Sequence, residues 1–207
     1  GVGGQGCGFF LRLCYQSQAK LPTMTETLAV DPVYLVDAKL IPADAMMLLA
    51  AHISRAGTLT EWMDAAILDE NDPTKRDPEL DIYDSNNPNK PPYSAAFVEK
   101  YRAAQIARNR RITKWVKEKL AAFKRDGLEN EEFAFVTHGT MADPRFVDPA
   151  LDPNDRKPNW CFLGDPRVVN NGPVGLARFN TLRGWLSQWS YDDSNADGPK
   201  CAQKIYV

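Results

Sequence analysis

The sequence predicts an α/β fold in which helices outnumber strands. Five segments have the apolar spacing or composition of helices, and only two short ones, 132–137 and 205–207, have the β-branched and aromatic content of strands. Two strands do not make a self-sufficient sheet, because three or more with a shared apolar face are normally needed. We therefore expect the sheet that these helices cover to be completed by residues outside this sequence or by another chain.

The composition excludes several classes of protein. Of the 207 residues, 43% are hydrophobic and 25% are charged, which is typical of a folded, soluble domain. The 25 basic and 27 acidic side chains give a formal charge of −2 without long runs of one sign, so no nucleic-acid partner or anionic membrane surface is indicated. No apolar stretch reaches the ~18 residues of a membrane-spanning helix, and we predict no membrane span.

The four cysteines, Cys7, Cys14, Cys161 and Cys201, are dispersed and form no CxxC pair. This pattern is more typical of free buried thiols than of a disulfide framework. Since the sequence also contains no Asn-x-Ser/Thr sequon, it favours a cytoplasmic location. The chain starts on a glycine turn and stops within strand-like residues, so both ends are expected to be internal to a longer protein. The sequence does not decide between a monomer and a homo-oligomer.

Three helices are predicted in the N-terminal part of the chain. A dense apolar run over 9–15 follows the opening glycines, and 43–53 is rich in strong helix formers. Thr58 and Glu61 have the spacing of a capping box, which predicts that a third helix follows Thr58 and includes Trp62, Met63, Ala66 and Ile67. Five prolines over 71–92 then predict a long ordered loop.

The strongest helical signal follows that loop. Ser94 is expected to cap a helix of roughly 30 residues that ends at Gly127. Its apolar stripe comprises Phe97, Tyr101, Ala104, Ile112, Trp115, Val116, Leu120 and Phe123. Its other face carries Arg102, Arg108, Arg110, Arg111, Lys114, Lys117, Lys119 and Lys124. We interpret that basic face as solvated, because the chain as a whole is slightly acidic.

The clearest strand, 132–137, leads directly into His138 and Gly139. A second loop rich in Pro, Asp and Asn follows over 141–173, and its large aromatic residues predict that it packs against the protein. A last helix is expected over 174–189, where apolar residues again follow a helical spacing.

The opening glycines are compatible with two kinds of active-site turn. Gly1, Gly3 and Gly6 match the G-x-G-x-x-G spacing of a dinucleotide-binding turn, but the sequence shows no preceding strand. Glu26 and Asp31 lie near the distance expected for its acid, but prolines and scattered polar residues surround them. The same turn suits the nucleophile elbow G-x-S-x-G, in which small residues surround an attacking serine. Gly3 occupies the serine position and has no hydroxyl, so it cannot form an acyl-enzyme.

Six further segments carry a resemblance to one family. They are 40–55 (LIPADAMMLLAAHISR), 58–62 (TLTEW), 104–112 (AQIARNRRI), 138–145 (HGTMADPR), 163–170 (LGDPRVVN) and 185–192 (WLSQWSYD). Together they resemble microbial α/β-hydrolase fold proteins with a large helical cap. The resemblance spans nearly the whole chain.

This resemblance implies a partial α/β-hydrolase fold, mostly helical and with few strands. Residues 1–57 would form the nucleophile elbow and core helices, 58–126 the helical cap, and 127–207 the return to the hydrolase core. The implied reaction is hydrolysis of a carboxylic ester or a related acyl bond on a small-molecule substrate, through an acyl-serine intermediate. No metal ion or organic cofactor is implied.

The resemblance also assigns candidate catalytic residues. Gly3 stands where the family has its nucleophilic serine, and Gly4 would donate an oxyanion-hole N–H from its backbone. The acid and base of the triad would follow Val207. Two alternatives stay open: a catalytically inactive hydrolase-fold binding module, and a dinucleotide-binding oxidoreductase that uses Gly1, Gly3 and Gly6.

Four residues are candidates for a substrate pocket under the cap. They are Trp62, Trp115, Trp160 and His138. Placement in the plain core is the alternative for the tryptophans, and a structural role is weighed against a catalytic one for His138. His52 is expected in the core, and neither histidine has a second ligand at metal-binding spacing, so no metal site is predicted.

Overall fold

The computed structural model describes residues 39, 41, 42, 44, 55–151 and 178–191. The chain divides into two compact units, Gly1–Thr58 with Arg183–Val207 and Leu59–Leu182. The predicted helix over 9–15, nearly all of that over 43–53, the opening glycines and the four cysteines lie outside the described residues. The domain limits at 57/58 and 126/127 and the α/β-hydrolase fold remain predictions.

The first described helix, α1, covers Arg55–Trp62, so the prediction of a helix that follows Thr58 and includes Ala66 and Ile67 is wrong in its bounds. Thr58 lies inside the helix. Beyond Trp62 the backbone makes a tertiary hydrogen bond, in which the N–H of Asp64 donates to the carbonyl of Gly139 at 2.8 Å. A tertiary hydrogen bond therefore ends a helix that the apolar spacing would have continued.

The loop predicted over 71–92 is confirmed, since these residues form turns without a helix or a strand. The turns from 64 to 89 are built by side-chain oxygens that accept the backbone N–H two residues further on. The residues that do so are Asp64, Asp69, Asp72, Asp77, Asp81, Asp84 and Asn87. Leu80 and Ile82 anchor the loop in the core.

The central helix, α2, covers Ala95–Arg125 and confirms the predicted long helix. The side chain of Ser94 accepts the N–H of Phe97 at 3.2 Å, as an N-cap residue does. Gly127 follows the C-cap with a φ of +71°, a conformation that suits glycine.

The core of the Leu59–Leu182 unit forms between the first half of α2 and the loops on either side of it. Its central cluster comprises Ala65, Ala66, Leu80, Ile82, Tyr93, Phe97, Tyr101 and Ala142. The buried Tyr101 hydroxyl donates to the carbonyl of Ala142 at 2.7 Å, and the Tyr83 hydroxyl donates to the carbonyl of Met141 at 2.7 Å. These bonds fix the segment after His138 against the helix.

Phe146, in a short 3₁₀ turn at Pro144–Phe146, is buried as expected for an aromatic anchor of that segment.

Two strands, β1 at Ala134–Thr137 and β2 at Arg178–Thr181, pair antiparallel. Strand β1 lies within the predicted strand 132–137. A single helix over 174–189 was the wrong prediction, because 178–181 form β2 and helix α3 covers only Leu182–Gln188. Pairing with β1 provides hydrogen-bond partners for the backbone of β2. In addition, the Asn180 side-chain amide donates to Thr137 Oγ1 at 3.1 Å.

In the other unit, the described residues include Trp185 and Trp189, whose rings stack at a centroid distance of 5.6 Å and an interplanar angle of 6°. Both rings are buried. In neither unit is a described helix both long and apolar enough to cross a bilayer.

Candidate functional site

A cavity of about 460 Å³ opens between α2 and β1. Its apolar wall consists of Leu68, Ile112, Trp115, Phe133, Phe135 and Val136. Its polar wall consists of Asp69, Glu70, Asn71, Arg111, Thr137 and His138. Cavities of this size, mostly apolar and with a few polar groups, are typical of small-molecule sites.

Trp115 dominates the apolar wall. Its ring meets that of Phe135 edge to face at a centroid distance of 5.1 Å, and that of Phe133 at 6.2 Å. The helix places Trp115 next to the fully buried Val116, yet Trp115 is 40% exposed. Its membership of the apolar stripe therefore does not bury it, and an aromatic surface is left open beside the cavity.

Glu70 joins the polar wall to two arginines of α2. Arg108 donates from Nε to Oε1 at 2.9 Å and from Nη2 to Oε2 at 2.6 Å, and Arg111 Nη2 donates to Oε1 at 2.9 Å. Burial by itself raises the pKa of Glu70, but the hydrogen bonds and charges of Arg108 and Arg111 outweigh it, so the pKa lies below its ordinary value. Glu70 is therefore ionised at neutral pH.

Arg108 is 1% exposed, so the interpretation of the basic face as solvated is wrong for this residue. Besides its bonds to Glu70, its Nη1 donates to the carbonyls of Asp64 at 2.9 Å and Gly139 at 3.3 Å, and its Nη2 donates to that of His138 at 2.8 Å. All five N–H donors of the guanidinium are thus used. The buried cation is balanced by Glu70 and fixes the turn that follows β1.

Gly139 allows this turn to pass close to its neighbours. Its φ is +55°, and a Cβ atom there would lie 2.8 Å from Ile67 Cδ1 and 2.9 Å from Asp64 Cβ. Any larger residue would therefore combine backbone strain with a steric clash. The preceding residue, His138, lines the cavity, and its imidazole makes no hydrogen bond to another described residue.

A second ion-pair network surrounds the buried Asp143, which does not line the cavity. Its carboxylate accepts from Arg102 Nη2 at 2.9 Å and from Arg145 Nη2 at 2.6 Å, and Arg145 also pairs with Glu61. Burial raises the pKa of Asp143, but bonding to Arg145 and the charge of Arg102 lower it further than burial raises it. We assign this network to holding the segment after β1 against α1 and α2.

The structure brings two of the four predicted pocket residues, Trp115 and His138, to one cavity. Trp62 does not line it, and its ring lies 6.3 Å from that of Phe146 between centroids. Trp160, Gly3 and Gly4 lie outside the described residues. The roles predicted for all of them stay predictions.

Sequence reasoning missed Glu70, Arg108 and Arg111 as members of the site. A signal for Arg108 was present, because it falls seven residues after Tyr101 and four before Ile112, in register with the buried stripe of α2. Glu70 carried no comparable signal, since it lies in an irregular loop whose path depends on tertiary contacts.

In comparisons with known proteins, the chain has no significant match to a family model, a curated protein or a solved structure. Within the described part of the chain, no group of three or more His, Cys, Asp or Glu side chains could hold a metal ion.

Proposed function

We propose that this chain is part of an α/β-hydrolase-type protein, and that the cavity between α2 and β1 binds a small molecule with an apolar body. The observation that carries the binding role is the cavity of about 460 Å³ with Trp115 and Phe135 in its wall. The resemblance of six segments to α/β-hydrolases supports the choice of reaction. Aromatic surface of this kind binds apolar groups strongly when water is displaced from it.

The proposed reaction is hydrolysis of a carboxylic ester or a related acyl bond. A serine hydroxyl at the elbow would attack the acyl carbon and release the alcohol, and water would then release the acid from the acyl-enzyme. The backbone N–H of Gly4 would stabilise the oxyanion. Gly3 cannot supply the hydroxyl, so this route requires serine at position 3.

The second candidate is a binding module that keeps the hydrolase scaffold and the cavity but performs no acyl transfer. The residue that favours it is Gly3 itself, because glycine at the nucleophile position removes the covalent step while leaving the cavity residues unchanged.

Labelling with a fluorophosphonate probe separates the two candidates. In the full-length protein that carries this segment, Gly3→Ser is expected to be labelled and to hydrolyse p-nitrophenyl esters, whereas Gly3→Ala and the protein with Gly3 are not. A folded Gly3→Ser variant that remains unlabelled would contradict the hydrolase proposal and favour the binding module.

Binding is tested independently of the hydrolytic reaction, by titrating the protein with the neutral ester methyl 4-phenylbutanoate in a calorimeter. Trp115→Ala is expected to weaken binding by about tenfold or more, because it removes an aromatic anchor. Leu128→Ala is the control, since Leu128 is exposed and does not line the cavity. Equal weakening by both variants, or none by Trp115→Ala, would contradict the assignment of this cavity.

A further inference from the structure

We infer that the cavity takes a monocarboxylate with an aromatic or similarly bulky apolar body, and that Arg111 is its specificity-determining residue. This inference rests on the proposed binding role of the cavity, because it names the class of ligand for that same site. It does not require the hydrolase reaction.

The first step is the unused bonding capacity of Arg111. Its Nη2 donates to the carbonyl of Ile67 at 3.0 Å and to Glu70 Oε1 at 2.9 Å, and these bonds fix the guanidinium in the cavity wall. The three N–H donors on Nε and Nη1 have no acceptor within the described part of the chain. The side chain is 45% exposed, so these donors are within reach of a ligand.

The second step is the balance of charge around the polar wall. The single carboxylate of Glu70 is shared between the guanidiniums of Arg108 and Arg111, so this group of three side chains carries one positive charge in excess. Asp69, the other acid of this wall, pairs with Lys75 at 3.0 Å, and Lys75 also lies 3.8 Å from Asp72, which does not line the cavity. Since Arg108 is buried with all its donors used, the excess charge is available at Arg111, where it favours a ligand with one negative charge.

The third step is the distance between this charge and the apolar wall. Arg111 and Trp115 are four residues apart on α2, so their side chains are neighbours on the helix surface. A carboxylate bound at Arg111 would therefore place an attached ring or branched chain beside Trp115 and Phe135. His138 also lines the cavity.

A matched pair of ligands tests the inference: 4-phenylbutanoate, and 4-phenylbutan-1-ol, which has the same body without the charge. In calorimetric titration of the full-length protein that carries this segment at pH 7, the acid is expected to bind about tenfold more tightly than the alcohol, as a charge-assisted hydrogen bond would provide. High salt is expected to reduce this preference, because Arg111 is partly exposed.

Three variants test whether Arg111 causes the preference for the acid over the alcohol. Arg111→Gln is expected to weaken binding of the acid about tenfold while changing that of the alcohol less than about twofold. Arg111→Lys keeps the charge and is expected to retain the preference. Arg110→Gln is the matched control, because Arg110 is exposed on the same helix and does not line the cavity, and it should change neither affinity. Circular dichroism verifies that each variant is folded.

The outcomes distinguish this inference from the function on which it rests. Equal affinity for acid and alcohol, or a preference that persists in Arg111→Gln or disappears in folded Arg111→Lys, would overturn the carboxylate specificity. If the alcohol and methyl 4-phenylbutanoate still bind in a Trp115-dependent manner, the cavity remains a binding site. Failure of all three compounds to bind would overturn the role of the cavity as well.

Discussion

Arg108 and Arg111 lie one turn apart on the same helix and share the carboxylate of Glu70, yet their surroundings are opposite. Arg108 is 1% exposed and bonds through all five N–H donors, whereas Arg111 is 45% exposed and bonds through two of them to described residues. A buried charge is tolerated only when it is fully paired. The comparison shows that the loops around the helix, and not the residue type, separate a structural arginine from one that can receive a ligand.

The largest expected effect comes from removing the buried arginine. Arg108→Met should lower the free energy of unfolding by about 3–5 kcal/mol, because it leaves Glu70 Oε2 and the carbonyls of Asp64 and His138 without their arginine donor in the protein interior. Urea unfolding followed by tryptophan fluorescence measures the change. Lys114→Met serves as the exposed control on the same helix and should cost less than about 0.5 kcal/mol, because Lys114 is 79% exposed. A cost below about 1 kcal/mol at Arg108 would contradict the difference between the two arginines.

The next effect concerns the turn that Arg108 holds. Gly139→Ala should cost at least about 2 kcal/mol, since a Cβ atom there clashes with Ile67 and Asp64 in addition to the strain of positive φ. Gly127→Ala shares the positive φ but meets no atom within 4 Å, so it should cost only about 1–2 kcal/mol. Equal costs in urea unfolding would show that the turn relaxes and that Arg108 does not require its close packing.

The pH dependence of the unfolding free energy tests the charge state of Glu70. Its folded-state pKa lies below the ordinary value of 4.5, so the carboxylate stabilises the fold above about pH 4.5 and this contribution is lost as the pH falls through the folded-state pKa. Glu70→Gln should cost about 1.5–3 kcal/mol at pH 7 and flatten the fall of stability in acid. Urea unfolding at a series of pH values measures both quantities, and an unchanged acid dependence in Glu70→Gln would contradict the assignment.

The smallest effect on stability is expected at Arg111, the partly exposed arginine of the pair. Arg111→Met should lower the unfolding free energy by less than about 1 kcal/mol, because a partly exposed ion pair contributes little to stability. The same urea titration measures it alongside Arg108→Met. A cost as large as that of Arg108 would mean that Arg111 is also structural and has no spare capacity for a ligand.

Local patterns in the sequence predicted some elements well. The cap at Ser94 and the apolar spacing after it predicted α2 almost to its ends, and the β-branched and aromatic run predicted β1. The end of α1 and the presence of β2 were missed, because each depends on a partner elsewhere in the chain: the carbonyl of Gly139 and the backbone of β1.

The candidate site was predicted only in part. Trp115 and His138 were chosen for their residue types and positions, and both line the cavity. The arginines beside them were assigned to a solvated face, since helical periodicity describes one helix and contains no information about the loops that cover it.

By itself, the sequence determined the long helix and its cap, because capping and periodicity act between residues a few positions apart. Only the tertiary structure decided which arginine is buried. The carbonyls that satisfy Arg108 belong to residues at least 30 positions away, and a guanidinium is stable in the interior only when all such partners are brought together at once.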